Sequence, residues 1–126
     1  WYPTIVKPTW NPPNWVFAPV WTTLYLLMSI AGWRAWRAAT VPADAAKTLW
    51  LYGAQLVLNA VWSVLFFYLH RPDLALAEII VFLALLIAIF VRFARTDRAA
   101  AILWSPYVAW VSFATFLNFT IWSLNR

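Results

Sequence analysis

The chain has 126 residues, 65% of them hydrophobic and 10% charged, with eleven tryptophans, nine Lys and Arg against four Asp and Glu, and no cysteine. A soluble domain of this length buries only about two-thirds of the surface its unfolded chain exposes, and ordinary globular domains are about 25% charged. The composition therefore excludes a water-soluble globule and indicates an integral membrane protein, while the missing cysteine excludes disulfides, zinc–thiolate sites and a cysteine nucleophile.

Residues 1–14 are proline-rich, and four apolar segments follow within a single domain, 1–126. Their charged or proline-bearing ends predict an all-α, transmembrane helical bundle. The first span covers about 15–38, opened by Pro12, Pro13 and Asn14 and closed by Arg34 and Arg37. Asn14 can act as N-cap, accepting from the free amides of the first turn. The second span covers about 45–69, after Pro42 and Asp44. The third covers about 73–94, with Pro72 just outside and Asp73 at the positive end of the helix dipole. The fourth covers about 98–124. A run of about 20 apolar residues crosses a hydrocarbon core of about 30 Å, and each segment reaches that length. The segments are too long, and too poor in alternation, for the strands of a β-barrel. Short links make neighbouring helices antiparallel. Pro19 and Pro106 lie in the early turns of their spans, where partner helices absorb the amide they fail to donate.

The isoelectric point near 10.1 would suggest nucleic acid in a soluble protein. Here no basic stripe exists, and the cations sit at the ends of apolar stretches, the pattern of cytoplasmic loops. No nucleic-acid partner is expected; the lipid bilayer is. Arg34, Arg37, Lys47, Arg92, Arg95 and Arg98 fall at one end, against Lys7, Arg71 and Arg126 at the other, so the first end is expected to be cytoplasmic. An aromatic belt accounts for most tryptophans. Trp33, Trp36, Trp50 and Trp104 are expected near one interface, and Trp1, Trp10, Trp15, Trp62 and Trp122 near the other. Trp110 lies too deep for that reading, and Trp21 is intermediate.

Gln55, Asn59, Trp62 and Phe66 follow helical spacing on one face of the second span. Two amides facing lipid would be costly, so that face turns inward. Two readings stand for Asn59: an interhelical hydrogen bond, or the polar anchor of a ligand cavity. Gln55 fits the first. Matching stripes run along the first span (Phe17, Trp21, Tyr25, Met28, Gly32) and the last (Tyr107, Trp110, Ala114, Leu117, Asn118). Bulky rings beside Ala18, Ala77 and Ala114 favour a cavity for a flat, apolar ligand. Glu78, the one carboxylate inside a span core, is either a proton or ligand site or snorkels towards His70 or Arg71, the preferred reading. With one histidine and two glycines, the chain offers no bis-imidazole haem, histidine metal cluster, catalytic triad or phosphate loop. No metal and no cofactor are expected. Leu65 to Arg71 also fits the loose cholesterol-contact pattern.

In chain order, the motifs Lys7-Pro8-Thr9-Trp10-Asn11-Pro12-Pro13-Asn14-Trp15-Val16-Phe17, Pro19-Val20-Trp21-Thr22, Leu24-Tyr25, Gln55-Leu56, Leu58-Asn59, Trp62, Phe66-Phe67, Pro106-Tyr107, Trp110 and Leu117-Asn118-Phe119 resemble the translocator protein family. That family is also called tryptophan-rich sensory protein (TspO) or peripheral-type benzodiazepine receptor. The resemblance runs over essentially the whole chain. It implies a five-helix bundle, commonly dimeric, that binds porphyrins and other hydrophobic ligands, and sterols in animal members. Four spans are present here, so the family's first helix is expected upstream of Trp1. The resemblance implies a pocket lined by Phe17, Ala18, Val20 and Trp21 of the first span and Asn59 and Trp62 of the second. Leu74, Ala77 and Val81 of the third, and Trp110, Ala114 and Leu117 of the fourth, complete it. The stretch before Trp15 would act as a lid. The family's sterol motif departs at Phe119 and Ser123, which, with the short loops, makes the chain look like a bacterial member. Ala84 and Ala88 suit a helix contact in a homodimer.

These readings lead to a membrane receptor or transporter of tetrapyrroles with a sensory role. Two alternatives are an enzyme that degrades porphyrin with pocket tryptophans as electron donors, and a structural membrane subunit without a ligand. The sequence supplies no acid–base pair at useful depth, so a binding protein is preferred to an enzyme.

Overall fold

A computed structural model describes Lys7 and residues 14–125, apart from the side chains of Asn14, Val16 and Phe17. The lid expected over 1–14 lies almost wholly outside the described residues. Four helices follow in order: α1 (Asn14–Ala38), α2 (Pro42–Ser63), α3 (Pro72–Thr96) and α4 (Arg98–Asn125). A π-helical turn, Val64–Tyr68, extends α2. The fold is a helical membrane bundle. α2 with its π turn, α3 and α4 are each long and apolar enough to cross a bilayer. α1 has 25 residues, about 37 Å at 1.5 Å per residue.

The outward faces confirm the solvent. Leu26, Val57, Ile80, Ile102 and Phe116 all stand exposed on the bundle surface, an arrangement that suits acyl chains and not water. Hydroxyls within the spans bond to their own helices: Thr22 donates to the Ala18 carbonyl, Thr23 to Pro19 and Ser29 to Tyr25. Such four-residue back-bonding satisfies a polar group that lipid cannot.

Chain ends and turns are set by local chemistry. Pro42 opens α2 after an extended Val41, and Pro72 opens α3 after Arg71; proline suits the first helical turn, where no amide partner is needed. Asp44 and Asp73 sit in those first turns, favourably placed at the positive dipole ends. Asp97 alone separates α3 from α4. Its amide donates to the Phe93 carbonyl at 2.7 Å, and its carboxylate accepts from the Ala99 amide at 3.3 Å, so one residue ends a helix and caps the next. The same carboxylate binds Arg34 of α1, with Nε at 2.9 Å. His70 takes φ 55° in the turn before α3, a left-handed conformation in which histidine is enriched among non-glycine residues.

The helices form a ring in which α4 lies against α3 and α1, and α2 closes against α3 and α1. α2 and α4 thus stand diagonally across the centre, and side chains must bridge between them. Met28, Phe82, Leu86, Ile89, Phe93, Val111 and Ile121 are buried there. Trp104, expected in the interfacial belt, is fully buried. Its indole donates to the Leu86 carbonyl at 3.2 Å and its ring meets Phe93 and Tyr107 edge-on, each at 5.2 Å. Trp62 is buried too. Trp15, Trp33, Trp36 and Trp50 are exposed as a belt requires.

An aromatic cavity beside a polar bridge

All four residues of the inward stripe on α2, namely Gln55, Asn59, Trp62 and Phe66, are buried. The bridge across the bundle starts from Gln55, whose Nε2 donates to Met28 Sδ of α1 at 3.4 Å. Tyr107 of α4 donates its hydroxyl to Gln55 Oε1 at 2.7 Å. Asn59 Nδ2 donates to the same Tyr107 hydroxyl at 3.1 Å and to the Tyr25 hydroxyl at 3.2 Å. One turn along, Trp62 Nε1 donates to Asn118 Oδ1 at 3.0 Å, and Asn118 Nδ2 donates to the Pro72 carbonyl at 2.9 Å. Every helix is thereby tied to the centre. Both amide hydrogens of Asn59 go to tyrosines, so the interhelical role is filled.

Next to this bridge lies a small cavity of about 30 Å³, with room for a water or two. Trp21 lines it from α1, and Trp62, Phe66 and Phe67 from α2 and its π turn. Trp110, Phe113, Ala114, Leu117 and Asn118 line it from α4. The rings are arranged by contact. Trp62 stacks on Phe66 at 5.2 Å and 16°, and Phe67 meets Trp62 edge-on at 5.7 Å. Trp21 meets Trp110 edge-on at 6.5 Å and Tyr107 at 6.4 Å. Such offset and edge-on geometries suit the ring quadrupoles.

Five of the expected pocket residues meet here: Trp21, Trp62, Trp110, Ala114 and Leu117. Val20 is half-buried against the core beside them, and Asn59 lies a turn away in the polar bridge. Ala18 stands exposed on α1, and the side chain of Phe17 lies outside the described residues. Leu74, Ala77 and Val81 are on the exposed face of α3 and do not line this cavity. The reason is helical phase: α3 turns Ala75, Ile79, Phe82 and Leu86 inward, and residues offset by one or two positions point well away from that stripe.

Phe66, Phe67, Phe113 and Asn118 were outside the expected lining. Phe66 and Asn118 already lay on the inward stripes, so spacing alone could have found them. Phe67 could not be found that way. In an α-helix it would point about 100° from Phe66. The π turn, marked by the Leu69 amide donating to the Val64 carbonyl at 2.8 Å, puts more residues in one turn and brings Phe67 onto the same cavity.

Glu78 does not reach Arg71. That guanidinium is held by Asp73 through Nε at 3.1 Å and Nη2 at 3.0 Å, which raises it above its ordinary value. The Glu78 side chain is part-buried on α3, and both its carboxylate oxygens are closed off from solvent without a hydrogen-bond partner among the described residues.

The TspO/MBR family model matches residues 1–123. The chain is 40% identical to the tryptophan-rich protein TspO of Chlorobaculum tepidum over 124 residues, covering 98% of this chain and 78% of that protein. It is 41% identical to the tryptophan-rich sensory protein of Cereibacter sphaeroides over 125 residues, covering 99% and 77%. Against the human translocator protein it is 36% identical over 127 residues, covering 100% and 75%. A membrane bundle with an indole-lined centre and matches of this extent place the chain in the TspO/MBR family.

Proposed function

We propose that the chain is a membrane receptor or transporter for tetrapyrroles and similar flat, apolar molecules, with a sensory role, in a bacterial membrane. The observation that carries this reading is the convergence of Trp21, Trp62 and Trp110 from three helices on one cavity. Each indole that stacks on or flanks a porphyrin ring contributes about 0.5–1.5 kcal/mol beyond area burial. The words "translocator" and "sensory" in the names of relatives support the functional class. The departures from the sterol motif at Phe119 and Ser123 support a bacterial setting.

The cavity of about 30 Å³ is far below the roughly 300–1,000 Å³ of ordinary ligand sites. A porphyrin therefore enters by displacing rings, and the edge-on contacts of Trp21 with Trp110 and Tyr107 join α1 to α4. Rearrangement there couples occupancy to helix position, which is what a sensor needs. Titration of the reconstituted protein with porphyrin, followed by tryptophan fluorescence, is the test. Saturable quenching is expected, and it should be largely lost when Trp21, Trp62 and Trp110 are all replaced by phenylalanine. Quenching unchanged in that triple variant would overturn the assignment. A new chromophore formed with turnover under illumination would favour the porphyrin-degrading alternative.

A further inference from the structure

Charge is distributed unequally between the two ends of the bundle. At the end holding the α1–α2 link and the α3–α4 turn, six cations (Arg34, Arg37, Lys47, Arg92, Arg95, Arg98) meet two carboxylates, Asp44 and Asp97. The other end has three cations, Lys7, Arg71 and Arg126, of which Arg71 is matched by Asp73 at 3.0 Å. Both carboxylates of the basic end are in use. Asp97 holds Arg34 at 2.9 Å, and Asp44 lies 3.8 Å from Arg92 while its carbonyl accepts from the same guanidinium at 3.3 Å. Arg37 and Arg95 have no carboxylate partner among the described residues. Arg37 instead lies over the Trp33 ring, 4.9 Å from its centre.

These side chains surround two recesses that share Ala38 and Thr96. One, of about 410 Å³, is bounded by Trp33, Arg34, Arg37 and Asp97. The other, of about 300 Å³, is bounded by Thr40, Asp44, Arg92 and Arg95. Trp33 also borders a third groove of about 220 Å³, running along Gly32, Leu49 and Tyr52 between α1 and α2. A polar recess walled by guanidinium groups thus adjoins an apolar groove. Exposed Trp33, Trp36 and Trp50 set its depth at the headgroup layer.

We infer that this end of the bundle binds the phosphodiester headgroup of an anionic phospholipid, with Arg37 and Arg95 as the principal phosphate contacts. Arg34 and Arg92, paired with Asp97 and Asp44, wall the recesses beside them. Guanidinium forks match phosphate oxygens with paired N–H donors. The neighbouring apolar groove selects a lipid over a free anion, because only a lipid has an acyl chain to lay there. Basic pockets on the cytoplasmic side of membrane bundles recognise such headgroups, each cation contributing about a fivefold gain near the surface.

The test uses the whole chain, delipidated in neutral detergent and titrated with phosphatidylglycerol or phosphatidylcholine at 0.15 M salt, with bound lipids counted by native mass spectrometry. Phosphatidylglycerol is expected to bind about tenfold or more tightly than phosphatidylcholine. The double variant Arg37→Gln/Arg95→Gln should lose that preference, Arg37→Lys/Arg95→Lys should keep part of it, and Arg71→Gln at the opposite end should leave it intact. Melting temperatures of all variants exclude unfolding as the cause. Equal binding of the two lipids, or an equal loss in Arg71→Gln, overturns the inference. Displacement of phosphatidylglycerol by millimolar inorganic phosphate would mark a free-anion site and overturn it as well.

Discussion

Replacing Tyr107 by phenylalanine tests the bridge that joins α2 to α4. Tyr107 is fully buried, and its hydroxyl donates to Gln55 Oε1 at 2.7 Å while accepting from Asn59 Nδ2 at 3.1 Å. Phenylalanine keeps the ring contacts with Phe82 and Trp104 but removes both bonds. Asn59 retains the Tyr25 hydroxyl, whereas Gln55 Oε1 loses its donor. A buried polar atom left unsatisfied costs about 1–3 kcal/mol. Interhelical hydrogen bonds in membrane proteins average about 0.6 kcal/mol, because the unfolded chain also finds partners in the membrane. The two effects together put Tyr107→Phe at about 1–2 kcal/mol of destabilisation. If Gln55 is already changed to methionine, the hydroxyl has less to satisfy, and the coupling energy in the double-mutant cycle should be near 1 kcal/mol. Unfolding in mixed micelles of rising dodecyl sulfate fraction, followed by circular dichroism, measures both quantities. A single variant within about 0.3 kcal/mol of the parent, or strictly additive changes in the cycle, would refute the bridge.

Four further substitutions probe other contacts of the bundle. Glu78→Leu removes two buried oxygens without hydrogen-bond partners among the described residues and should raise the melting temperature by roughly 2–5 °C; a fall would reveal that the carboxyl group is satisfied. Gly53 has nothing within 4 Å of an added Cβ, whereas at Gly32 that atom would lie 2.8 Å from the Tyr52 ring. Gly53→Ala should therefore gain about 0.5–1 kcal/mol from helix propensity, and Gly32→Ala should lose that gain to ring displacement; equal stabilisation of both would contradict the close approach of α1 and α2. Arg34→Gln breaks a half-exposed ion pair and should cost no more than about 1 kcal/mol, with the difference shrinking at high salt; a salt-independent loss measured by thermal melts would argue against an electrostatic contact.

Much of this architecture could be read from the chain. Long apolar runs bounded by Pro12, Pro42, Pro72 and the arginine clusters defined the helices, because lipid leaves no alternative way to satisfy the backbone. Helical spacing assigned Gln55, Asn59 and Trp62 to one buried face, since an amide facing acyl chains is penalised wherever it sits. Trp104 shows where such reasoning stops: its position near a span end suggested the belt, yet Phe93 and Tyr107 enclose it. The rotation of α3, which sends Leu74 and Val81 outward, depends on packing against α4 that no local pattern specifies. Likewise Phe67 reaches the cavity through a change in helical pitch that spacing rules assume away. Periodicity determines which residues share a face; which face meets which neighbour, and with what partner for each polar atom, was decided by the packed bundle, because only there do residues tens of positions apart compete for the same space and the same hydrogen bonds.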